Sequence, residues 1–114
     1  MTPALPDAFE VRVAEDAGTA VTVSVVGELD MVTAPQFEDR LAALYDEGAR
    51  QLTVDLASLS FIDSSGLSAL VSTLKRYRAE GGDVILRSPT RATAKVLEIS
   101  GLDQLFTIDR PPTR

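Results

Sequence analysis

The chain has 114 residues, which is enough for one domain with a hydrophobic core and too few for two. Its 17 acidic and 11 basic residues give a net charge of −6, which argues against binding to the phosphate backbone of nucleic acids. The chain has no cysteine and no histidine, which excludes disulfides and the commonest zinc ligands and removes the usual general base of a serine hydrolase.

The two ends of the chain predict tails and no membrane segment. No stretch is long and apolar enough to cross a bilayer, and the first ten residues lack the basic start and apolar core of a signal peptide. We therefore expect a cytoplasmic protein that is not associated with a membrane. Prolines near both ends predict flexible tails at residues 1–8 and 109–114, on either side of one domain at residues 9–108.

The first half of the domain predicts two strands and a helix. Residues 9–13 alternate apolar and polar side chains and residues 19–26 are mostly β-branched, so together they predict a hairpin around a turn at residues 16–18. Residues 33–48 instead have apolar side chains at the spacing of a helix. In that helix Thr33 and Gln36 occupy the two positions of a capping box, so Thr33 is expected to be the cap.

A third strand and a second helix follow. Residues 52–56 have the alternating pattern of a strand, and apolar side chains recur at helical spacing after Gly66. The helix is expected to begin near Ser64 or Ser65 and to end at the glycines of residues 81–82.

The last part of the domain repeats this pattern. Residues 83–86 predict a fourth strand, Ser88 with Pro89 predicts the start of a third helix that ends at Gly101, and residues 105–108 predict a fifth strand. The order β β α β α β α β predicts an α/β fold with a mixed, mostly parallel sheet of about five strands covered by helices. Each strand–helix–strand unit requires a parallel crossover.

The turn before the second helix has more polar side chains than a helix start needs. Asp63, Ser64 and Ser65 follow an apolar segment expected to be a buried strand and precede Gly66, which is expected to leave the turn sterically open. Ligands and partners of such sheets gather where strands end and helices begin, and a helix N-terminus attracts anions. Helix capping alone is one explanation, because Asp and Ser are favoured caps. The other is that at least one hydroxyl faces solvent and is recognised, since a cap uses one side chain.

The chain contains the segments GELDMVTA at residues 27–34, LTVDLASLSFIDSSGLSAL at residues 52–70 and SPTRATAKVLEISGLDQLF at residues 88–106. In this combination they resemble the STAS domain family, and most closely its single-domain bacterial anti-sigma factor antagonists. The resemblance extends from about Phe9 to Ile108, and the middle segment is the most specific of the three.

The resemblance implies a phosphorylation switch. Proteins of this kind bind an anti-sigma factor that is also a serine kinase, which frees a sigma factor for transcription. The kinase inactivates them by phosphorylating the second serine of the DSSG turn, which corresponds to Ser65, with Ser64 as the second choice. A serine phosphatase resets the switch. The chain is then a substrate and not an enzyme, with neither a cofactor nor a metal of its own.

The expected partner surface includes an acidic residue from another loop. Asp30 follows the second strand, is expected to lie at the same sheet edge as Ser65, and resembles a family position at the partner surface. An ordinary solvated loop acid is the alternative for Asp30. The residues expected to contact the partner are Asp30, Asp63, Ser64, Ser65 and Gly66.

Two other functions agree with parts of the sequence. The chain is alternatively a STAS adaptor subunit of a larger complex, such as a lipid transporter, in which the turn is never phosphorylated. A serine-nucleophile enzyme or a nucleotide-binding protein is the third hypothesis. It is disfavoured because the chain lacks a GxSxG elbow, a glycine-rich phosphate loop and histidine.

Overall fold

Strands and helices alternate along the chain, as the sequence predicts. The computed structural model describes residues 8–110. The elements in chain order are β1 (Glu10–Asp16), β2 (Ala20–Leu29), α1 (Ala34–Asp46), β3 (Gln51–Asp55), β4 (Leu59–Ile62), α2 (Ser64–Ala79), β5 (Asp83–Arg87), α3 (Arg91–Ile99), a 3₁₀ turn (Leu102–Gln104) and β6 (Thr107–Asp109). Within the described range no helix is long and apolar enough to cross a membrane. The α/β fold class is confirmed.

The sheet is mixed and mostly parallel. Its strand order is β1-β2-β3-β5-β6, with β4 paired to β2 outside this path. β1 runs antiparallel to β2, and every other described pair is parallel. The hairpin turn lies where it was predicted and is closed by the Gly18 N–H, which donates to Asp16 Oδ1 at 2.9 Å.

The structure has two strands between α1 and α2 where the predicted order counted one. Residues 20–24 of β2 pair with β3, and residues 27–29 pair with β4. The register shifts between Gly27 and Glu28, and Gly27 has a φ of 101°. Glycine adopts this left-handed conformation without strain, so β2 bends at Gly27 and changes partners. β4 gives little sequence signal because its exposed and buried residues do not alternate.

The core lies between one face of the sheet and the helices. Every second residue of β2, β3 and β5 is buried, and the residues between them are mostly half-buried. The apolar stripe predicted for α1 is buried at Phe37, Leu41 and Leu44. Burial of apolar surface contributes about 25 cal/mol per Å² removed from water, so this layer is the main source of stability.

One predicted capping bond and one predicted helix start are wrong. Thr33 is the residue before α1, as predicted, but its side chain caps no helix N–H; its Oγ1 instead accepts the Asp30 N–H at 3.0 Å and donates to the Glu28 carbonyl at 2.8 Å. α3 begins at Arg91, and Thr90 caps it by accepting a hydrogen bond from the Thr93 N–H at 3.2 Å. Ser88 is too early in the chain to be the cap, because its N–H still continues the sheet by donating to the Asp109 carbonyl at 2.9 Å and the helix begins only at Arg91.

The end of the domain also differs from expectation. The 3₁₀ turn occupies residues 102–104, so β6 begins at Thr107 and extends to Asp109, one residue into the segment expected to be a tail. Gly101 ends α3 with a φ of 78°, as expected of a glycine that stops a helix. Most of the tails expected at residues 1–8 and 109–114, namely residues 1–7 and 111–114, lies outside the described residues.

The first turn of α2 packs closely against the ends of β2 and β4. Gly66 is buried, and a Cβ at this position would lie 2.5 Å from the Leu29 carbonyl oxygen and 2.7 Å from Ile62 Cγ1. Both distances are shorter than van der Waals contact. Gly66 therefore allows the helix to approach the strands, and the expectation that it leaves the turn sterically open is wrong.

A tyrosine cluster joins α1 to the C-terminal half of α2. The Tyr77 hydroxyl is buried and donates to the Leu41 carbonyl at 2.9 Å. Its ring meets that of Tyr45 edge-on at 5.2 Å, and the Arg50 guanidinium lies 3.9 Å from the centre of the Tyr45 ring. Aromatic and cation–π pairs of this kind each contribute about 0.5–1.5 kcal/mol.

We expect Gly66→Ala to lower the free energy of unfolding by about 1–3 kcal/mol, because the added methyl overlaps backbone and a core side chain. Urea denaturation followed by circular dichroism measures the change. The control is Ser68→Ala on the exposed side of the same helix, for which a change within about 0.5 kcal/mol is expected. A Gly66→Ala variant as stable as the wild type would contradict the close packing.

Burial raises the pKa of Tyr77 to about 12, whereas a tyrosine in an unfolded chain titrates near about 10. The unfolded state therefore loses the Tyr77 proton first, and the stability that this group contributes declines as the pH rises from about 10 to 12. We expect the stability difference between the wild type and Tyr77→Phe to shrink over this interval in denaturation curves recorded at several pH values. A constant difference would argue against a buried phenol.

Candidate functional site

The candidate site lies at the sheet edge where the parallel strands end. Leu29, the last residue of β2, is in register with Ile62, the last residue of β4. The Asp63 N–H continues this pairing by donating to the Leu29 carbonyl at 3.2 Å. Asp30 and Asp63 each follow one of these paired residues, so the two acidic turns are neighbours at this edge, as the sequence predicts for Asp30.

Asp63 is the cap of α2. Its backbone is extended, with φ −114° and ψ −170°, and its Oδ1 accepts a hydrogen bond from the Gly66 N–H at 3.0 Å. The carbonyl of Asp63 accepts the Leu67 N–H at 2.9 Å, which begins the helical hydrogen bonds. Of the three polar residues of this turn, Asp63 is therefore the cap, and Ser64 and Ser65 are the first residues of the helix.

The two serine hydroxyls are not used by the fold. Ser64 and Ser65 are the first two residues of α2; Ser64 is exposed and Ser65 is partly buried. Within residues 8–110, neither side chain makes a hydrogen bond to another group of the chain. Capping accounts for Asp63, and both hydroxyls remain available to a partner or to a modifying enzyme.

Asp30 organises its own turn. Its Oδ1 accepts hydrogen bonds from the Val32 N–H at 2.9 Å and the Thr33 N–H at 3.0 Å, and the Thr33 hydroxyl lies 3.2 Å away. Hydrogen bonds lower the pKa of Asp30 below its ordinary value. The Thr33 N–H contributes most to this shift, and the Val32 N–H and the Thr33 hydroxyl contribute less. Asp30 is thus more than a solvated loop acid, because its carboxylate holds the turn that joins β2 to α1.

The Asp30 turn exposes apolar side chains that the sequence interpretation did not consider. Met31 is 75% exposed and Val32 is 79% exposed, and Phe61 on the neighbouring β4 is 49% exposed. The sequence contains one sign of this exposed pair, because two adjacent apolar residues lie between a predicted strand and a predicted helix. Polar residues are the usual sequence signal of a binding loop, and whether an apolar pair in a loop is buried or exposed depends on the tertiary structure.

A shallow groove begins at Ser64 and follows α2. Its volume is about 480 Å³, and one wall consists of α2 residues that include Leu67 and Val71. Ser100 and Leu102, which follow α3, form the opposite wall. The groove is thus continuous with the exposed hydroxyl of Ser64 and offers apolar surface beside it.

The acidic side chains of the site do not form a metal centre. Among residues 8–110 no three acidic side chains cluster closely enough to hold a metal ion, and the chain has no histidine or cysteine to supply other ligands. No histidine is available to activate the Ser65 hydroxyl either. What the edge offers is surface for a partner and two unbonded hydroxyls.

Comparison with known proteins identifies the family. Residues 8–111 match the family model described as STAS domain. An anti-sigma-B factor antagonist of Staphylococcus epidermidis is 32% identical over 87 residues, which cover 76% of this chain and 81% of that protein. The relative of the same description from Staphylococcus aureus has the same identity and coverage.

Solved structures agree with this match. An anti-sigma factor antagonist from Mycobacterium paratuberculosis has a TM-score of 0.80 and 32% identity, with 96% of this chain and 92% of that chain covered. The Bacillus cell fate determinant SpoIIAA in its phosphorylated form has a TM-score of 0.67 and 24% identity, with coverages of 89% and 90%, and shares the fold. The chain therefore belongs to the STAS domain family, and within it to the anti-sigma factor antagonists.

Proposed function

We propose that this chain binds an anti-sigma factor through the edge formed by Asp30, Asp63, Ser64 and Ser65, and that phosphorylation of Ser65 abolishes the binding. The anti-sigma factor is a serine kinase that uses ATP, and its capture frees a sigma factor for transcription. A serine phosphatase regenerates the active form. The observation that carries the proposal is a hydroxyl pair at a helix start that takes no part in the hydrogen bonds of the fold.

A phosphate at this position is compatible with the fold. The N-terminus of α2 carries a partial positive charge, and a phosphoserine in its first turn adds a negative charge where the helix dipole favours one. SpoIIAA of Bacillus, which shares this fold, has a structure in a phosphorylated form. We therefore expect the modification to leave the domain folded and to change only the binding of the partner.

The charge of a phosphate is sufficient to block binding. A phosphoserine carries about −1.5 to −2 charges at neutral pH. An unpaired charge buried in an interface costs about 2–5 kcal/mol, which corresponds to about a 30-fold to several-thousand-fold loss of affinity. The neighbouring carboxylates of Asp30 and Asp63 have the same sign and increase this cost.

The choice between the two serines rests on the position in the DSSG turn. Ser65 is the second serine of the pair, which is the one modified in the family that the sequence resembles. Ser64 is the more exposed of the two and remains the second choice. Gly66 is buried beneath the turn, so its contribution to partner binding is to position the two serines.

In this proposal the chain is a substrate and a binding protein, and it works in the cytoplasm where sigma factors act. The chain has no histidine, the usual general base for a serine nucleophile, and the Asp63 carboxylate in the same turn is used to cap the Gly66 N–H. The adaptor hypothesis differs in one measurable respect, because an adaptor's turn is never phosphorylated.

The direct experiment incubates the wild-type chain with ATP and each recombinant anti-sigma factor of the source organism, and locates phosphate by mass spectrometry. We expect one phosphate, on Ser65. Calorimetry should show that Ser65→Ala keeps the wild-type affinity for the same anti-sigma factor and that Ser65→Asp weakens it at least about 10-fold.

Thr19→Asp is the control, since Thr19 is an exposed hydroxyl residue just before β2, at the opposite end of that strand from Leu29 and the candidate site. Phosphate on Ser64 would transfer the switch to that residue. Absence of phosphate together with stable co-purification of a membrane transporter would support the adaptor hypothesis instead.

A further inference from the structure

The turn after β2 exposes two adjacent apolar side chains. Met31 and Val32 are 75% and 79% exposed, which makes them the most exposed large apolar residues of the range 8–110. Single exposed apolar residues are ordinary on protein surfaces. Two adjacent exposed apolar residues in a short turn are less ordinary. Neither side chain contributes buried area to the core, so packing within the fold does not explain their presence.

Hydrogen bonds hold this turn in one conformation. Asp30 Oδ1 accepts the N–H groups of Val32 and Thr33, and the Asp30 carbonyl accepts the Ala34 N–H at 2.8 Å. The Thr33 hydroxyl donates to the Glu28 carbonyl at 2.8 Å and accepts the Asp30 N–H at 3.0 Å. The two apolar side chains are therefore presented to solvent by an ordered backbone. Binding of a partner to them costs little additional conformational entropy, because the loop is already ordered.

The turn is also joined rigidly to the two serines. The Asp63 N–H donates to the Leu29 carbonyl, and Gly66 packs against the same carbonyl oxygen. Only Asp30 separates Leu29 from Met31. The Asp30 turn and the Ser64–Ser65 turn are therefore held next to each other in a fixed relative position.

We propose that Met31 and Val32 are the apolar anchor through which the anti-sigma factor binds this chain, and that they determine its affinity for that partner. The inference rests on the proposed function and adds to it a division of roles. Burial of the two side chains supplies binding free energy. Phosphorylation of Ser65 adds a charge that cancels this binding free energy. The occupant of the anchor is a complementary apolar surface of the anti-sigma factor.

This division predicts how the kinase reaction responds to substitution. The side chains of Met31 and Val32 are largely exposed, and the hydrogen bonds that hold the turn use Asp30 and backbone N–H groups. Polar replacements therefore keep the geometry of the turn and of Ser65 and weaken only association with the partner. We expect the KM for phosphorylation of the variant to rise while kcat remains near the wild-type value. A substitution that merely distorted the turn would lower kcat as well.

The test uses the double variant Met31→Gln, Val32→Thr, whose side chains are close in size to the originals and whose backbone hydrogen bonds are kept. Its affinity for each recombinant anti-sigma factor of the source organism is measured by calorimetry, and its phosphorylation kinetics are followed with the partner that binds the wild type. We expect affinity to fall about 10-fold to 100-fold, with an unchanged thermal unfolding midpoint.

The matched control is Ile99→Thr, because Ile99 is 74% exposed at the C-terminal end of α3 and lines neither the Asp30 turn nor the groove beside Ser64. It is expected to bind like the wild type. Equal affinities of the double variant and the wild type, or an equal loss with Ile99→Thr, would overturn the anchor and leave the proposed function intact. Failure of the wild type to bind any anti-sigma factor would overturn both.

Discussion

The candidate site depends on the close contact between α2 and the ends of two parallel strands. β2 and β4 finish in register at Leu29 and Ile62, and Gly66 lets the first turn of the helix lie directly on the Leu29 carbonyl. This contact brings together two turns that are more than thirty residues apart in the chain. It also places the serines at the start of α2 and the apolar pair after β2 on neighbouring turns.

Polar groups at this edge divide into those that the fold uses and those that it leaves unused. The carboxylates of Asp63 and Asp30 accept backbone N–H groups and hold the two turns in place. The hydroxyls of Ser64 and Ser65 make no such bonds within the described residues. A charge added to one of these serines would therefore change the surface more than the stability of the fold, which is the property that a phosphorylation switch requires.

Local signals were sufficient to predict most elements of the fold. The hairpin turn at residues 16–18, the apolar stripe of α1 and the helix stop at Gly101 each depend on side chains close in sequence, and each was predicted correctly. The errors depend on contacts made at long range. β4 pairs with β2 only beyond the bend at Gly27, and Ser88 still belongs to the sheet through its bond to Asp109, so that α3 begins later than predicted.

The sequence by itself determined the α/β class, the family resemblance and the polar turn Asp63–Gly66, because periodicity and motif spacing are properties of short segments. Only the tertiary structure decided that Asp63 is the cap, that Gly66 is buried beneath the turn, and that Met31 and Val32 face solvent beside it. The physical reason is that exposure and hydrogen-bond use depend on what packs against a residue. For these residues, the neighbours are set by the pairing of β2 with β4 and by the hydrogen bonds of the Asp30 turn, which local sequence does not specify.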